Sequence, residues 1–278
     1  MSKRGYTRRD ILGSIGAGAA SVMTAGLLSS CRLNSKKTAR QTKAEIKKKS
    51  HIITLSFDDG FKKSSIRTAE IYEKHNLSAC INVIATGHLQ AFRPPGEYIA
   101  GSDRGDFALW NELKQRGHEV MPHSYKHANL RQLPLAEAKD LIRRCLDYFS
   151  KELKGFDPKE AVFNFPYNAS TPELESWLTT KVKAFRTGGG AINPLPHPGQ
   201  VKLTCTGFGP GNCERDIEAK IAQLLARDSG WLIYNTHGLD GEGWGPVGSA
   251  FMDKLLERLT AIDSVAVMPA GKALAQLI

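Results

Sequence analysis

The five cysteines of this 278-residue chain include no Cys-x-x-Cys pair, which leaves no basis for a thiolate zinc site. No Gly-x-Gly-x-x-Gly follows the first apolar run, so the phosphate-binding turn of an open dinucleotide sheet is missing. There is no internal repeat, which excludes a stack of small repeated units. Residues 51–278 also have no surplus charge, with 26 basic and 26 acidic side chains. The whole net charge of +10 lies in the first fifty residues, where twelve Lys and Arg face only Asp10 and Glu45. A basic excess confined to one end is an address or tether rather than a patch on a folded face, and no nucleic-acid partner is expected.

What the first fifty residues do contain is ordered. Thr7, Arg8, Arg9, Asp10, Ile11 and Leu12 resemble a twin-arginine export signal, followed by a Gly/Ala-rich run only mildly hydrophobic and poor as a permanent membrane span. Leu28, Ser29, Ser30 and Cys31 resemble a lipobox, in which cleavage before the cysteine leaves it lipid-modified. Residues 1–30 are therefore expected to be a signal peptide, 31–50 a flexible basic tether close to anionic head groups, and 51–278 the folded domain. The expected location is outside the cytoplasm, periplasmic or cell-surface, held to the membrane through Cys31. In an oxidising compartment Cys205 and Cys213, on either side of a Gly/Pro loop, are candidates for a disulfide, while Cys80 and Cys145 read as buried apolar residues.

From residue 51 onward strand-like and helix-like patterns alternate. Strands are expected at 51–57, 79–85, 118–122, 161–166, 183–187, 201–208, 231–237 and 264–269. The clearest helical patterns cover 134–155, with Gly155 as the stop, 213–230 and 249–262. Strand followed by helix, repeated, implies a parallel sheet covered by helices. Seven or eight such units favour an irregular (β/α) barrel of parallel strands in one catalytic domain, with its chemistry at the C-terminal strand ends.

Two of those strand ends carry unusual side chains. The run "GHEVMPHSYKH" closes on His123 and His127, four apart, a spacing that suits a divalent metal or two hydrogen-bonded histidines. The first strand closes on "LSFDDG", where Gly60 lets the chain turn sharply and Asp58 and Asp59 can point in different directions. One carboxylate can then bind a metal while the other stays free.

Together these segments resemble the polysaccharide deacetylase family, the NodB-homology or carbohydrate esterase family 4 domain. Ser56 to Gly60 match its first motif, (T/S)FDDG, and His123 to His127 its second, H(S/T)xxH, both in full. "NFPYN" matches the third in part: Pro166 and Tyr167 stand, while Asn164 replaces an arginine and Asn168 a glycine. "LIYNTH" supplies the histidine of the fifth, His237, and "FRTGGG" occupies the place of an acidic fourth motif that is absent. The resemblance implies one divalent metal ion, zinc first, with cobalt, nickel or manganese as alternatives. Its ligands would be Asp59, His123 and His127, and the catalytic residues Asp58 as general base, His237 as general acid and Tyr167 through its backbone N–H. Pro166, Asn164 and Trp244 would meet the substrate, an acetylated oligo- or polysaccharide.

In the family pattern the third-motif arginine holds the free aspartate. Arg186, at the end of a neighbouring candidate strand, is expected either to take over that task at Asp58 or to be a solvated strand-end residue. Trp244, in the loop "GLDGEGWGPVG", can stack on a sugar or anchor the loop. Two alternatives to glycan deacetylation stay open at this level: an amidase-type C–N hydrolase of a small substrate, and a catalytically weak glycan-binding lipoprotein of the same fold.

Overall fold

The computed structural model describes residues 49–93 and 103–276; the expected export signal, Cys31 and the tether as far as residue 48 lie outside the described residues. The strands are β1 (His51–Phe57), β2 (Cys80–Val83), β3 (Glu119–Pro122), β4 (Val162–Asn164), β5 (Ala184–Gly188), β6 (Ile192–Asn193), β7 (Lys202–Cys205), β8 (Gly230–Thr236) and β9 (Val265–Val267). The helices are α1 (Lys62–Lys74), α2 (Phe107–Gln115), α3 (Leu135–Glu152), α4 (Pro172–Leu178), α5 (Cys213–Leu225), α6 (Ser249–Thr260) and α7 (Ala270–Ala275). The three helical patterns legible in the sequence are α3, α5 and α6. In α3 the buried Ala138, Leu141, Ile142, Cys145, Leu146 and Phe149 recur at steps of three and four, which is one face of a 3.6-residue helix. No helix among the described residues is long and apolar enough to cross a membrane.

β1 is the axis of the larger sheet. One of its edges pairs with β8 over its whole length, from His51 with Gly230 to Phe57 with Thr236. The other edge is shared, with β9 alongside Ile52 and β2 alongside Phe57. β3 extends this sheet beyond β2, and β4, β5 and β7 form a second parallel sheet. The sequential order β1, β2, β3, β4, β5, β7, β8 is that of a barrel, but the ring is not continuously hydrogen-bonded. Between β7 and β8 there is a single bridge, Thr206 with Tyr234. Between β3 and β4 the links come from side chains: the Val162 N–H meets Met121 Sδ at 3.5 Å, and the Asn164 amide meets the Pro122 carbonyl at 3.4 Å. The two-residue β6, absent from the expected set, runs antiparallel to β8.

Alternation along the strands explains why the interior changes character from one end to the other. Side chains two apart share a face. On β1 the inward series is Ile52, Thr54, Ser56 and then Asp58, apolar first and charged last. Ile52, Val162, Ala184, Leu203, Trp231 and Ile233, drawn from both sheets, pack into one apolar cluster with Ala270, Ala273 and Leu274 of α7 beneath them. Trp231 is fully buried, and its indole N–H donates to Thr54 Oγ1 at 2.9 Å. Truncating such a residue costs about 3–5 kcal/mol. One step further along the strands the same face carries Ser56, Asn82, Asn164, Arg186 and Asn235, all buried. The polar groups are thereby delivered to the C-terminal strand ends.

Cys80 and Cys145 are buried as expected, but the expected disulfide between Cys205 and Cys213 is not formed. Cys80, Cys145, Cys205 and Cys213 are free and buried. The Cys205 thiol points at Asn168 Oδ1 (3.2 Å) and the Cys213 thiol at the Phe208 carbonyl (3.0 Å), so each thiol has a partner of its own.

Candidate active site

The turn after β1 places the two aspartates apart. Asp59 has a φ of 75° and Gly60 of 68°, both left-handed, so the chain reverses directly after the strand. Asp58 continues the inward face of β1, and Asp59 is swung toward β3. There Ser124 and His127, with φ of 68° and 56°, curl the HSYKH segment back, and the His127 N–H is held by Ser124 Oγ at 3.0 Å.

Asp59 Oδ1 lies 3.2 Å from His127 Nε2 and 3.5 Å from His123 Nε2. These three side chains are buried, and one ligand atom from each falls within 4.8 Å of the others. Among the described residues, Asp59 Oδ1 has no hydrogen-bond partner. A buried, unpartnered carboxylate oxygen facing two imidazole nitrogens is the donor set of a divalent cation, so the residues present fit one. His123 is prepared for it: its Nδ1 donates to the Asn164 carbonyl at 3.0 Å, which leaves the Nε2 lone pair toward the cluster. Burial, opposed by Asp59, pushes the His127 imidazole down to about 4, so it is neutral and able to ligate at pH 7. Burial works against ionisation of Asp59, yet His127 and His123 hold its carboxyl far below the usual range.

Asp58 has a different environment. Its Oδ1 accepts from the Asn82 amide at 2.7 Å; its Oδ2 accepts from Arg186 Nη2 at 2.5 Å and from the Asn235 amide at 2.8 Å. Burial alone would raise its pKa, but the Arg186 guanidinium first, with His123 and His237, outweighs that and holds the carboxyl below its ordinary value. Arg186 is 1 % exposed, and its Nη1 also donates to Ser56 Oγ at 3.1 Å. It is not a solvated strand-end residue.

Asn164, expected to meet the substrate, faces inward instead. It is 2 % exposed, and its amide donates to Asn82 Oδ1 at 2.9 Å, so it joins the frame behind Asp58 and His123. Pro166 is likewise buried, at the start of a 3₁₀ turn. Tyr167 follows it with a φ of 57° and is 49 % exposed, its ring 4.9 Å from that of His127. His237, half-buried just beyond β8, stands edge-on to Trp244 at 5.5 Å and 83°. It is among the neighbours that hold both aspartate carboxyls below their ordinary values. Sequence reasoning missed Asn82, Asn168 and Asn235. Asn168 donates to Asn235 Oδ1 at 3.0 Å and so holds the amide that grips Asp58. For Asn82 and Asn235 the available signal was an asparagine on the inward period of an otherwise apolar strand; Asn168, in the 3₁₀ turn after β4, carried no such signal.

Fold and site together define an α/β fold with mostly parallel strands and one catalytic domain. The family model "Polysaccharide deacetylase" matches residues 45–197, and the chain belongs to that family, hydrolases acting on carbon–nitrogen bonds. Among solved structures, a provisionally assigned polysaccharide deacetylase from Mycobacterium smegmatis is similar with a TM-score of 0.62 at 14% identity, over 83% of this chain and 91% of that one. A family 4 acetyl xylan esterase from Clostridium thermocellum, solved with a cobalt ion, gives 0.55 at 17% identity, over 81% and 90%. The Xyl-CE4 domain of a multidomain xylanase from the hindgut metagenome of Trinervitermes trinervoides gives 0.53 at 14%, over 81% and 90%. At these identities the likeness is one of fold. No curated protein matches the chain.

Proposed function

We propose that this chain is a metal-dependent deacetylase that removes acetyl groups from an N-acetylated or O-acetylated glycan outside the cytoplasm. The observation that carries this reading is the division of labour between adjacent aspartates: Asp59 faces His123 and His127, whereas Asp58 is held by Arg186, Asn82 and Asn235. A divalent cation on Asp59, His123 and His127, with zinc the first candidate, would supply Lewis-acid polarisation and lower the pKa of water. Asp58, ionised and fixed in direction, takes the proton of the attacking water. Tyr167 offers its backbone N–H to the oxyanion. His237 returns a proton to the departing nitrogen or oxygen. Acid–base steps of this kind contribute about 10²–10⁴-fold each. Trp244, half-buried beside His237, gives an apolar face for a sugar ring.

The export signal and Cys31 lipidation belong to the same reading, because a polymeric acetylated glycan is met beyond the cytoplasmic membrane. The test is acetate release from a panel of acetylated oligosaccharides, with chelation and metal add-back. Release that chelation abolishes and metal restores supports the reading; full release after exhaustive chelation overturns it.

A further inference from the structure

Five residues past His237, the Glu242 carboxylate reaches back across the mouth of the site. Its Oε2 accepts from the backbone N–H of Ser64 at 2.8 Å and from the Ser64 hydroxyl at 2.6 Å. Ser64 is the third residue of α1, and the preceding N-cap residue, Phe61, offers no side-chain acceptor. The Ser64 N–H is thus one of the helix-start donors that no intrahelical carbonyl can reach, and a carboxylate is the acceptor best suited to it. That acceptor comes from 178 residues away. Ser64 Oγ in turn accepts the Leu239 N–H at 2.9 Å, so α1 grips the loop at two points.

The loop is also closed on itself. Val247 donates to the Gly238 carbonyl at 3.1 Å, Asp240 to the Val247 carbonyl at 3.0 Å, and the Asp240 carboxylate caps α6 through the Ser249 N–H at 2.8 Å. At Gly243, with a φ of +81°, a Cβ would stand 2.8 Å from the Phe61 ring and 3.0 Å from His237 Cβ. The backbone there is pressed between the residue that begins α1 and His237, and Trp244 follows at once. Since α1 begins directly after the Asp58–Asp59 turn, the Glu242–Ser64 contact ties the end of β8 to the end of β1.

We infer that Glu242 is a positioning residue: by capping α1 it fixes the loop bearing His237 and Trp244 against the Asp58–Asp59 turn, and so sets where His237 delivers its proton. The inference rests on the reading of His237 as proton donor. The experiment therefore compares two substrates on the metal-loaded full chain. An N-acetylated oligosaccharide needs a proton on its departing amine, whereas 4-nitrophenyl acetate expels a phenolate that leaves without one. His237→Ala sets the size of the selective loss.

Glu242→Ala should lower the ratio of N-acetyl to aryl-acetate turnover about tenfold, a fraction of a full acid–base contribution. Gly243→Ala should lower it similarly, and Glu242→Gln, whose carbonyl can accept both Ser64 donors, should restore most of it. Metal content should equal that of the wild type throughout. If Glu242→Ala is too unstable to assay, Ser64→Ala, which keeps the N–H bond and loses the hydroxyl ones, should give a smaller selective loss. Equal loss on both substrates, or none on either, in the Glu242 and Gly243 variants overturns the inference. Equal loss on both substrates in His237→Ala instead overturns the proton-donor reading.

Discussion

Arg186 and Asn164 are register partners on β5 and β4, yet only one of them reaches the carboxylate: Arg186 Nη2 donates to Asp58 Oδ2 at 2.5 Å, while the Asn164 amide stops at Asn82 Oδ1. The guanidinium thus approaches Asp58 from the strand next to the one where the sequence motif would carry it. Arg186→Met should move the acidic limb of the kcat/KM profile to higher pH. The sign follows from the balance at Asp58: burial raises its pKa and the guanidinium is the main force lowering it, so its loss leaves the raising force in charge. An unmoved acidic limb would remove Arg186 from the role.

The same pair sets a stability prediction. A carboxyl depressed in the folded state contributes stability above its unfolded pKa of about 3.9, and this is lost as pH falls through the folded value. Leaving one member of a buried ion pair unmatched costs about 3–5 kcal/mol. Arg186→Met should therefore show its largest drop in Tm near neutrality and a smaller one in acid, where the Asp58 charge is gone. A Tm difference that does not vary with pH would mean the loss is one of packing alone.

His123→Ala and His127→Ala should each lose stoichiometric metal, measured by elemental analysis, while far-UV circular dichroism stays that of the wild type. The two imidazoles lie on a loop beyond β3 and contribute nothing to the apolar cluster between the sheets. The affinity loss should exceed the about 10–100-fold typical of removing an outer hydrogen-bond partner of a ligand. Full occupancy in both variants would take away the basis of the site.

The metal-facing residues were legible in the sequence because they sit within five positions of a strand end and within one short segment each. Asp58 and Asp59 follow seven strand residues, and His123 and His127 share one turn. Helices α3, α5 and α6 were legible for the same local reason. The ion pair of Arg186 with Asp58 joins residues 128 apart and was open to the sequence only as one of two alternatives raised by the family pattern; Ser64 with Glu242, 178 apart, was not open to it at all, since no window of sequence contains the pair. Asn164 was misjudged because a motif position gives no sign of which way its side chain turns; the pleat sends it inward, where an unpaired amide would be costly. β6 escaped notice because two residues are too few to display any period.

Cys31→Ser, with Arg8 and Arg9 intact, should abolish incorporation of an acyl label while leaving the chain exported or stalled. Wild-type chain that fractionates as soluble and unlabelled would end the lipoprotein proposal without touching the catalytic one.

Asp58→Asn and Asp59→Asn should fail in different ways. At position 58 an amide can still present its oxygen to Arg186 and Asn235, but its NH₂ then faces the Asn82 donor across a contact of 2.7 Å in the native protein. Leaving such a buried group unsatisfied costs about 1–3 kcal/mol, so Tm should fall modestly. Because the three metal-facing side chains are untouched, Asp58→Asn should retain metal, and turnover should fall by about 10²–10⁴-fold with the loss of the proton acceptor. At position 59 the lost charge belongs to the cluster itself. Its Oδ1 is the unpartnered oxygen between His123 and His127, and a neutral amide there is a weaker donor to a cation. Asp59→Asn should therefore lose metal affinity and turnover together, and excess metal should restore part of the turnover. Excess metal should do nothing for Asp58→Asn. Metal loss of equal size in the two variants would mean that both carboxylates ligate, and the division of roles between them would have to be abandoned.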